Sequence, residues 1–139
     1  MNTIISTLLV VFTTFLVWLI YQRGTGNPVS LVKIVEGIPY GDKLGHFLLF
    51  GSFTFLAILS SRFHRLQIRP KNFVYSVSVF IFVTLILEEC SQIFLDTRTF
   101  EFLDICANTL GIVFFSLMAK MIEPFVNNKQ LLADNKEST

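Results

Sequence analysis

Residues 3–20 read TIISTLLVVFTTFLVWLI, 18 residues without one ionisable side chain, and that run decides the class of fold. Wound as a helix at ~1.5 Å rise per residue, it covers most of a ~30 Å hydrocarbon core. No Lys or Arg precedes it and no small-x-small cleavage pattern follows it. It therefore reads as an uncleaved anchor rather than a signal peptide, with Trp18 and Tyr21 at the interfacial aromatic belt. The rest of the chain repeats the theme. With 53% hydrophobic and only 15% charged residues among 139, the composition is that of a membrane protein. Further apolar stretches give spans at about 43–61, 73–95 and 102–122, after a first at about 3–21. A short interfacial helix is expected over residues 29–36.

The expected fold is an all-α polytopic bundle of four transmembrane helices forming one domain over residues 1–139, since neither repeats nor a Gly/Ser linker mark a second. Orientation follows from the cations. Residues 62–72 contribute Arg62, Arg65, Arg69 and Lys71 with no acid, so that loop reads as cytoplasmic. Four spans then put both termini, and a polar tail over residues 123–139, in the cytoplasm. A net charge of +1 offers no field for nucleic acid, and nucleic-acid binding is excluded as a function class. His64 is a solvated loop residue on this reading, and Asp96 and Glu101 are solvated loop acids.

Against this apolar background, residues 87–111 hold five acidic side chains and a single arginine. Topology gathers the polar residues at one depth, towards the outer face. Asp42 and His46 are four apart on span two, beside Lys43. Glu89 and Gln92 are three apart on span three, and Asp104, Asn108 and Gly111 follow at helical spacing on span four. Arg98, in the loop between spans three and four, is placed as the countercharge of the cluster. An ionisable group near mid-membrane costs roughly 2.5–3.5 kcal/mol on insertion scales. Such residues are retained either for a function or as a polar lock that sets helix register.

The stretches DKLGHFLLFGSFTFL (residues 42–56) and EECSQIFLDTRTFEFLDICANTLG (residues 88–111) resemble the VanZ-like family of small bacterial membrane proteins. Its pattern runs D-K-x-x-H-F, then E-x-x-Q, an R several residues on, and D-x-x-x-N-x-x-G. The matching positions are Asp42, Lys43, His46 and Phe47, then Glu89 and Gln92, then Arg98, then Asp104, Asn108 and Gly111. The pattern selects Glu89 over Glu88 as the inward-facing acid. The resemblance implies a place in the bacterial cytoplasmic (inner) membrane and, through the founding member, an association with low-level resistance to the glycopeptide teicoplanin.

Three readings of the cluster stand open. It holds an envelope amphiphile, such as a membrane lipid, a lipid-linked precursor or a lipoglycopeptide, with Arg98, Lys43 and protonated His46 at the head group and Phe47, Phe50, Phe53, Phe94 and Phe102 along the chain. It is an intramembrane hydrolase or transferase, with His46 or Glu89 as general base and Arg98 with Lys43 stabilising an oxyanion. Or it is a polar lock in a structural, partner-binding subunit. No nucleophile has an obvious activator beside it, since Ser91 and Cys90 lack one. No cofactor is expected, and no metal, because one histidine among carboxylates has no diagnostic spacing and Lys43 and Arg98 repel a cation. Cys90 and Cys106 read as small hydrophobes, and Gly111 as a close-packing position.

Overall fold

The computed structural model of the chain describes residues 3–25, 30–69, 72–94 and 100–137. The long helices are α1 (Thr3–Gly24), α3 (Gly41–Ser60), α4 (Ser76–Ser91, continued by a 3-10 turn over Gln92–Phe94) and α5 (Phe102–Glu137). The short helix expected before span two forms as α2 (Ser30–Glu36), and strands β1 (Arg65–Arg69) and β2 (Asn72–Tyr75) lie between α3 and α4. Four stretches are long and apolar enough to cross a membrane: Thr3–Gly24, Gly41–Ser60, Ser76–Phe94 and Phe102–Asn127. The chain is thus a four-span helical membrane protein.

Lipid offers no partner to a polar group, so each helix has to satisfy its own. Six threonines do so by donating their hydroxyls to the carbonyl four residues back: Thr7, Thr13, Thr14, Thr54, Thr84 and Thr109, at 2.7–2.9 Å. Two serine pairs link helices instead, Ser6 with Ser60 at 3.5 Å and Ser78 with Ser116 at 2.9 Å.

These contacts also fix direction. Ser6 near the start of α1 meets Ser60 at the end of α3, while Arg23 at the end of α1 meets Asp42 at the start of α3. Lys43 and His46 of α3 meet Asp104 and Asn108 of α5 in the same order along both helices, so those two run parallel. The spans alternate in direction, and the start of α1 and the late part of α5 lie at the same end of the bundle as the β-hairpin.

The parallel pair α3 and α5 approaches most closely where side chains vanish. A Cβ on Gly111 would collide with the carbonyl oxygen of Phe47, and one on Gly51 would collide with the ring of Phe115. Without a hydrophobic force between helices in lipid, such close backbone packing is what holds them together. One core gathers Leu16, Phe50, Ala57, Ile81, Leu85 and Ile112. A second, under the hairpin, gathers Ile58, Phe63, Tyr75 and Ala119.

The hairpin end departs from the expected loop in three ways. The chain leaves α3 through a Schellman-type cap, in which Phe63 N–H donates to Ile58 O at 3.0 Å and Arg62 N–H to Leu59 O at 3.3 Å. Phe63 then packs back on Ile58. Arg62 and Phe63 both adopt left-handed backbone, φ 54° and 57°, where glycine is favoured. Next, residues 65–69 and 72–75 pair as an antiparallel ribbon, with Arg65 opposite Tyr75 and Gln67 opposite Phe73. Span three consequently starts at Ser76 rather than Phe73, because Phe73–Val74–Tyr75 are β-formers with a partner strand available. Third, α5 does not end near Ile122 but runs through Pro124 to Glu137, so the expected polar tail is helical as far as Glu137.

Glu123 supports this end. Its carboxylate pairs with Arg65 and accepts from the Tyr75 hydroxyl at 3.0 Å, and the Arg65 guanidinium lies over the Tyr75 ring at 5.4 Å from its centroid. Burial, with the Glu123 hydrogen bond, pushes the Tyr75 phenol above its ordinary value, so it remains a donor.

Two substitutions test this packing. Gly111→Ala should lower stability by about 1–3 kcal/mol, the usual cost of overpacking, read as a lower unfolding midpoint in detergent. Arg62→Gly should raise the midpoint by a few tenths to about 1 kcal/mol, because it removes a left-handed Cβ while keeping the cap.

Candidate functional site

Four helix ends converge on the polar site, and three of them carry the charge their dipole favours. Asp42 sits in the first turn of α3 and Asp104 in the first turn of α5, at positive helix ends. Arg23 occupies the last turn of α1, a negative end. The chain enters α3 through Tyr40, in left-handed backbone at φ 59°, and then Gly41, where a Cβ would collide with the Val35 carbonyl. This tight turn from α2 sets Asp42 and Lys43 at the mouth of the bundle.

Lys43 is the hub. Its ammonium donates to Asp42 Oδ2 at 3.0 Å and to the carboxylates of Glu101 and Asp104. One cation from α3 thereby neutralises acids from α3, from the start of α5 and from the segment before it. Arg23 extends the network from α1, donating to Asp42 Oδ1 at 3.2 Å with its other terminal nitrogen 3.4 Å from His46 Nε2.

His46 is buried between these groups. Its Nδ1 lies 3.2 Å from Asn108 Oδ1, and its Nε2 lies 3.5 Å from Asp104 Oδ2 and 3.7 Å from Asp42 Oδ1. With Nδ1–H donating to the Asn108 carbonyl oxygen, Nε2 keeps a lone pair towards the Arg23 guanidinium. Protonation of Nε2 would turn that contact repulsive and favour the two carboxylates instead.

The third part of the site belongs to α4. Glu89 is fully buried; its Oε1 accepts the Glu101 N–H at 3.2 Å and its Oε2 accepts from Gln92 Nε2 at 3.0 Å. A side chain of α4 thus caps the chain where α5 begins. Gln92 Nε2 also donates towards Glu88, at 3.2 and 3.3 Å. Every buried polar residue of the described chain other than Thr54 and Ser78 belongs to this cluster, and no buried side-chain nitrogen or oxygen among the described residues lacks a partner.

Of the residues singled out in the sequence, Asp42, Lys43, His46, Asp104 and Asn108 are in direct contact, and Glu89 and Gln92 join through Glu101. Arg98 and Asp96 lie outside the described residues. Two members were missed. Arg23 is not singled out in the sequence, and Glu101 reads there as a solvated loop acid; both are bound into the network. Their signal was position, one residue type at each helix end that the dipole favours. Ser91, on the exposed side of α4, gives its hydroxyl to the Glu88 carbonyl at 2.6 Å, and Cys90 and Cys106 are free thiols.

A ligand atom from each of Asp42, His46 and Asp104 falls within 4.8 Å of the others, which makes these the residues able to hold a metal. Lys43 sits on both carboxylates and Arg23 on Asp42, so an ion would have to displace two protein cations that already supply the compensation.

The VanZ/LLP1 family model matches residues 2–123. The chain belongs to the VanZ/LLP1 family. Comparison with curated proteins and with solved structures finds no match. The family match takes in the first three spans, most of the fourth and the whole described cluster, and ends at Glu123, just before Pro124 interrupts the hydrogen bonding of α5.

Beside the cluster, this VanZ/LLP1 chain has a cleft of about 300 Å³. Phe15 and Leu19 of α1, Val35 of α2, and Gly45, Leu49 and Phe50 of α3 form its apolar wall, while Arg23, Asp42, His46 and Glu88 stand at its polar end. The aromatic flank expected from sequence is largely elsewhere. Phe47 packs on Phe114 and Phe115, Phe53 stacks on Phe12, and Phe94 and Phe102 are exposed. Phe50 is the one of the five that lines the cleft.

Removing the hub should show its weight. Lys43→Met takes the shared cation from three carboxylates, of which Asp42 keeps Arg23 and the buried Asp104 loses its only Lys or Arg partner among the described residues, and should destabilise by about 3 kcal/mol, the lower end for a broken buried pair, measured as the detergent unfolding midpoint. Lys43→Met combined with Asp104→Asn should recover part of that loss; a strictly additive double mutant would rule out the direct pairing.

Proposed function

We propose that this VanZ/LLP1 protein handles an envelope amphiphile in the outer leaflet of the bacterial cytoplasmic membrane. The orientation rests on the basic sequence 62–72, whose Arg62, Arg65, Arg69 and Lys71 argue for a cytoplasmic position. The cluster end then faces outward. One observation carries the reading: an apolar cleft walled by α1, α2 and α3 ends on Arg23, Asp42, His46 and Glu88. A ligand site is expected to be mostly apolar with a few convergent polar groups, and an amphiphile has the matching polarity along its length.

Of the head-group residues expected, His46 stands at the cleft, while Arg98 lies outside the described residues. Lys43 is committed to three carboxylates, which leaves Arg23, Asp42, His46 and Glu88 as the polar groups at the cleft. The described part of the cluster contains no hydroxyl or thiol, and Ser91 is turned to its own helix. That favours binding over an acyl-transfer chemistry with a protein nucleophile. The association of the family with teicoplanin, a glycopeptide bearing a lipid tail, fits a ligand of this kind.

A sensitive bacterial host expressing the wild type should show a raised inhibitory concentration for teicoplanin and an unchanged one for vancomycin, which lacks the tail. At matched membrane abundance, Asp42→Asn and Arg23→Gln should return the teicoplanin value to that of the empty host. Full protection by both variants would remove the cluster from the function.

A further inference from the structure

Helical glycines in this chain fall into two kinds. Gly41, Gly51 and Gly111 are imposed by packing, since a Cβ on any of them would collide with a neighbour. Gly45 is not. A Cβ there would meet only Val35 Cγ1, at 3.9 Å, an ordinary contact. Glycine within a helix is destabilising relative to alanine, so a mid-helix glycine that packing does not require needs another reason. Gly45 lies on the wall of the cleft, one turn from Asp42 and adjacent to His46. What its missing side chain leaves open is the part of the cleft next to the polar end.

We infer that Gly45 sets the bore of the cleft, and that the occupant is a single hydrocarbon chain of an amphiphile drawn sideways from the bilayer. The inference rests on the amphiphile reading above and specifies its ligand. The volume of about 300 Å³ is at the lower bound of ligand sites, room for the part of one chain next to its head group and not for two chains side by side. Lateral entry follows from the exposure of two wall residues, Phe15 at 37% and Leu48 at 46%, both within membrane spans. The chain slides between α1 and α3 with its polar end held at Arg23, Asp42 and His46. Alone among the spans, α1 buries little of itself; Leu16 is its one buried residue among those described, so it is the wall best able to yield.

Native mass spectrometry of the full-length protein in detergent tests this, with oleoyl-lysophosphatidylcholine as the single-chain probe and dioleoylphosphatidylcholine as the two-chain probe. The wild type should retain one lysophospholipid and discriminate against the diacyl lipid. Gly45→Leu should fold with an unchanged or higher melting temperature and lose retention by about tenfold or more, the cost of overfilling a packed site. Leu19→Phe, which narrows the cleft from α1, should act in the same direction and serves if Gly45→Leu does not fold. Val113→Phe, on the exposed face of α5, should leave retention intact. Equal retention of the two lipids, undiminished retention by a folded Gly45→Leu, or no retention by the wild type would each overturn the inference. Wild-type protection against teicoplanin without single-chain retention would overturn this inference alone. Absence of protection with retention intact would instead remove the teicoplanin reading.

Discussion

The bond network around the Lys43 ammonium is the interaction on which the rest of the bundle depends. Each acid placed in or near the hydrocarbon core is costly by itself, and this chain places Asp42, Glu88, Glu89, Glu101 and Asp104 at one end of an otherwise apolar bundle. They are tolerable together because their compensation is shared. Lys43 takes three of them, Arg23 ties α1 to Asp42, and Glu89 is held by Gln92 and the Glu101 N–H. None of these contacts lies within one helix except Lys43 with Asp42 and the Gln92 bonds to Glu88 and Glu89. The network therefore stabilises the assembly of the four spans, not the individual spans. A helix out of register would leave a charge without a partner in lipid, and that penalty specifies the arrangement more sharply than apolar contacts can.

The close packing of α3 on α5 answers to the same requirement. Lys43 reaches Asp104, and His46 reaches Asn108, only if the two helices run parallel and near. Gly51 and Gly111 let the backbones approach one or two turns below the polar end. Hydrogen bonds between membrane helices are individually modest; here several are presented at once by helices whose spacing is already fixed. The sterically tight and the electrostatically demanding parts of the interface thus support each other. The other end is organised differently, by a hairpin folded over Ile58, Phe63 and Ala119 and tied down by Glu123.

Much of this is legible in the sequence, because lipid imposes simple rules. An uncharged run of 18 residues leaves little choice of structure, and helical spacing aligns Asp42 with His46 and Asp104 with Asn108 on shared faces. The hairpin was hidden by its charge: four cations in residues 62–72 read as a solvated loop, and the alternation of Leu66 with Ile68 and of Phe73 with Tyr75 is too short to outweigh them. Arg23 and Glu101 were hidden for a physical reason too. Each stands next to a helix end, where a solvated charge and a paired one look alike in sequence, and only the tertiary arrangement decides which it is. The cleft was beyond reach because its wall is assembled from three helices, and Gly45, the residue proposed to set its bore, contributes no side chain to it.

Whether the cluster is a lock or a site is then a false opposition. Asp42 and His46 belong both to the network that joins α1, α3 and α5 and to the polar end of the cleft. A lock needs every charge paired, and a binding site needs polar groups held rigidly in place at low reorganisation cost. The same pairing achieves both. Lys43, Glu89 and Asp104 lie inside the network and fix it; Arg23, Asp42 and Glu88 lie where the network borders the cleft, where the proposed ligand would take the place of a protein partner. His46 stands at that border with its Nε2 between a guanidinium and two carboxylates. A head group that engaged Arg23 would loosen its hold on Asp42 and so the attachment of α1, the span with the least burial. On the proposed reading, ligand binding and the position of α1 would be coupled through Arg23.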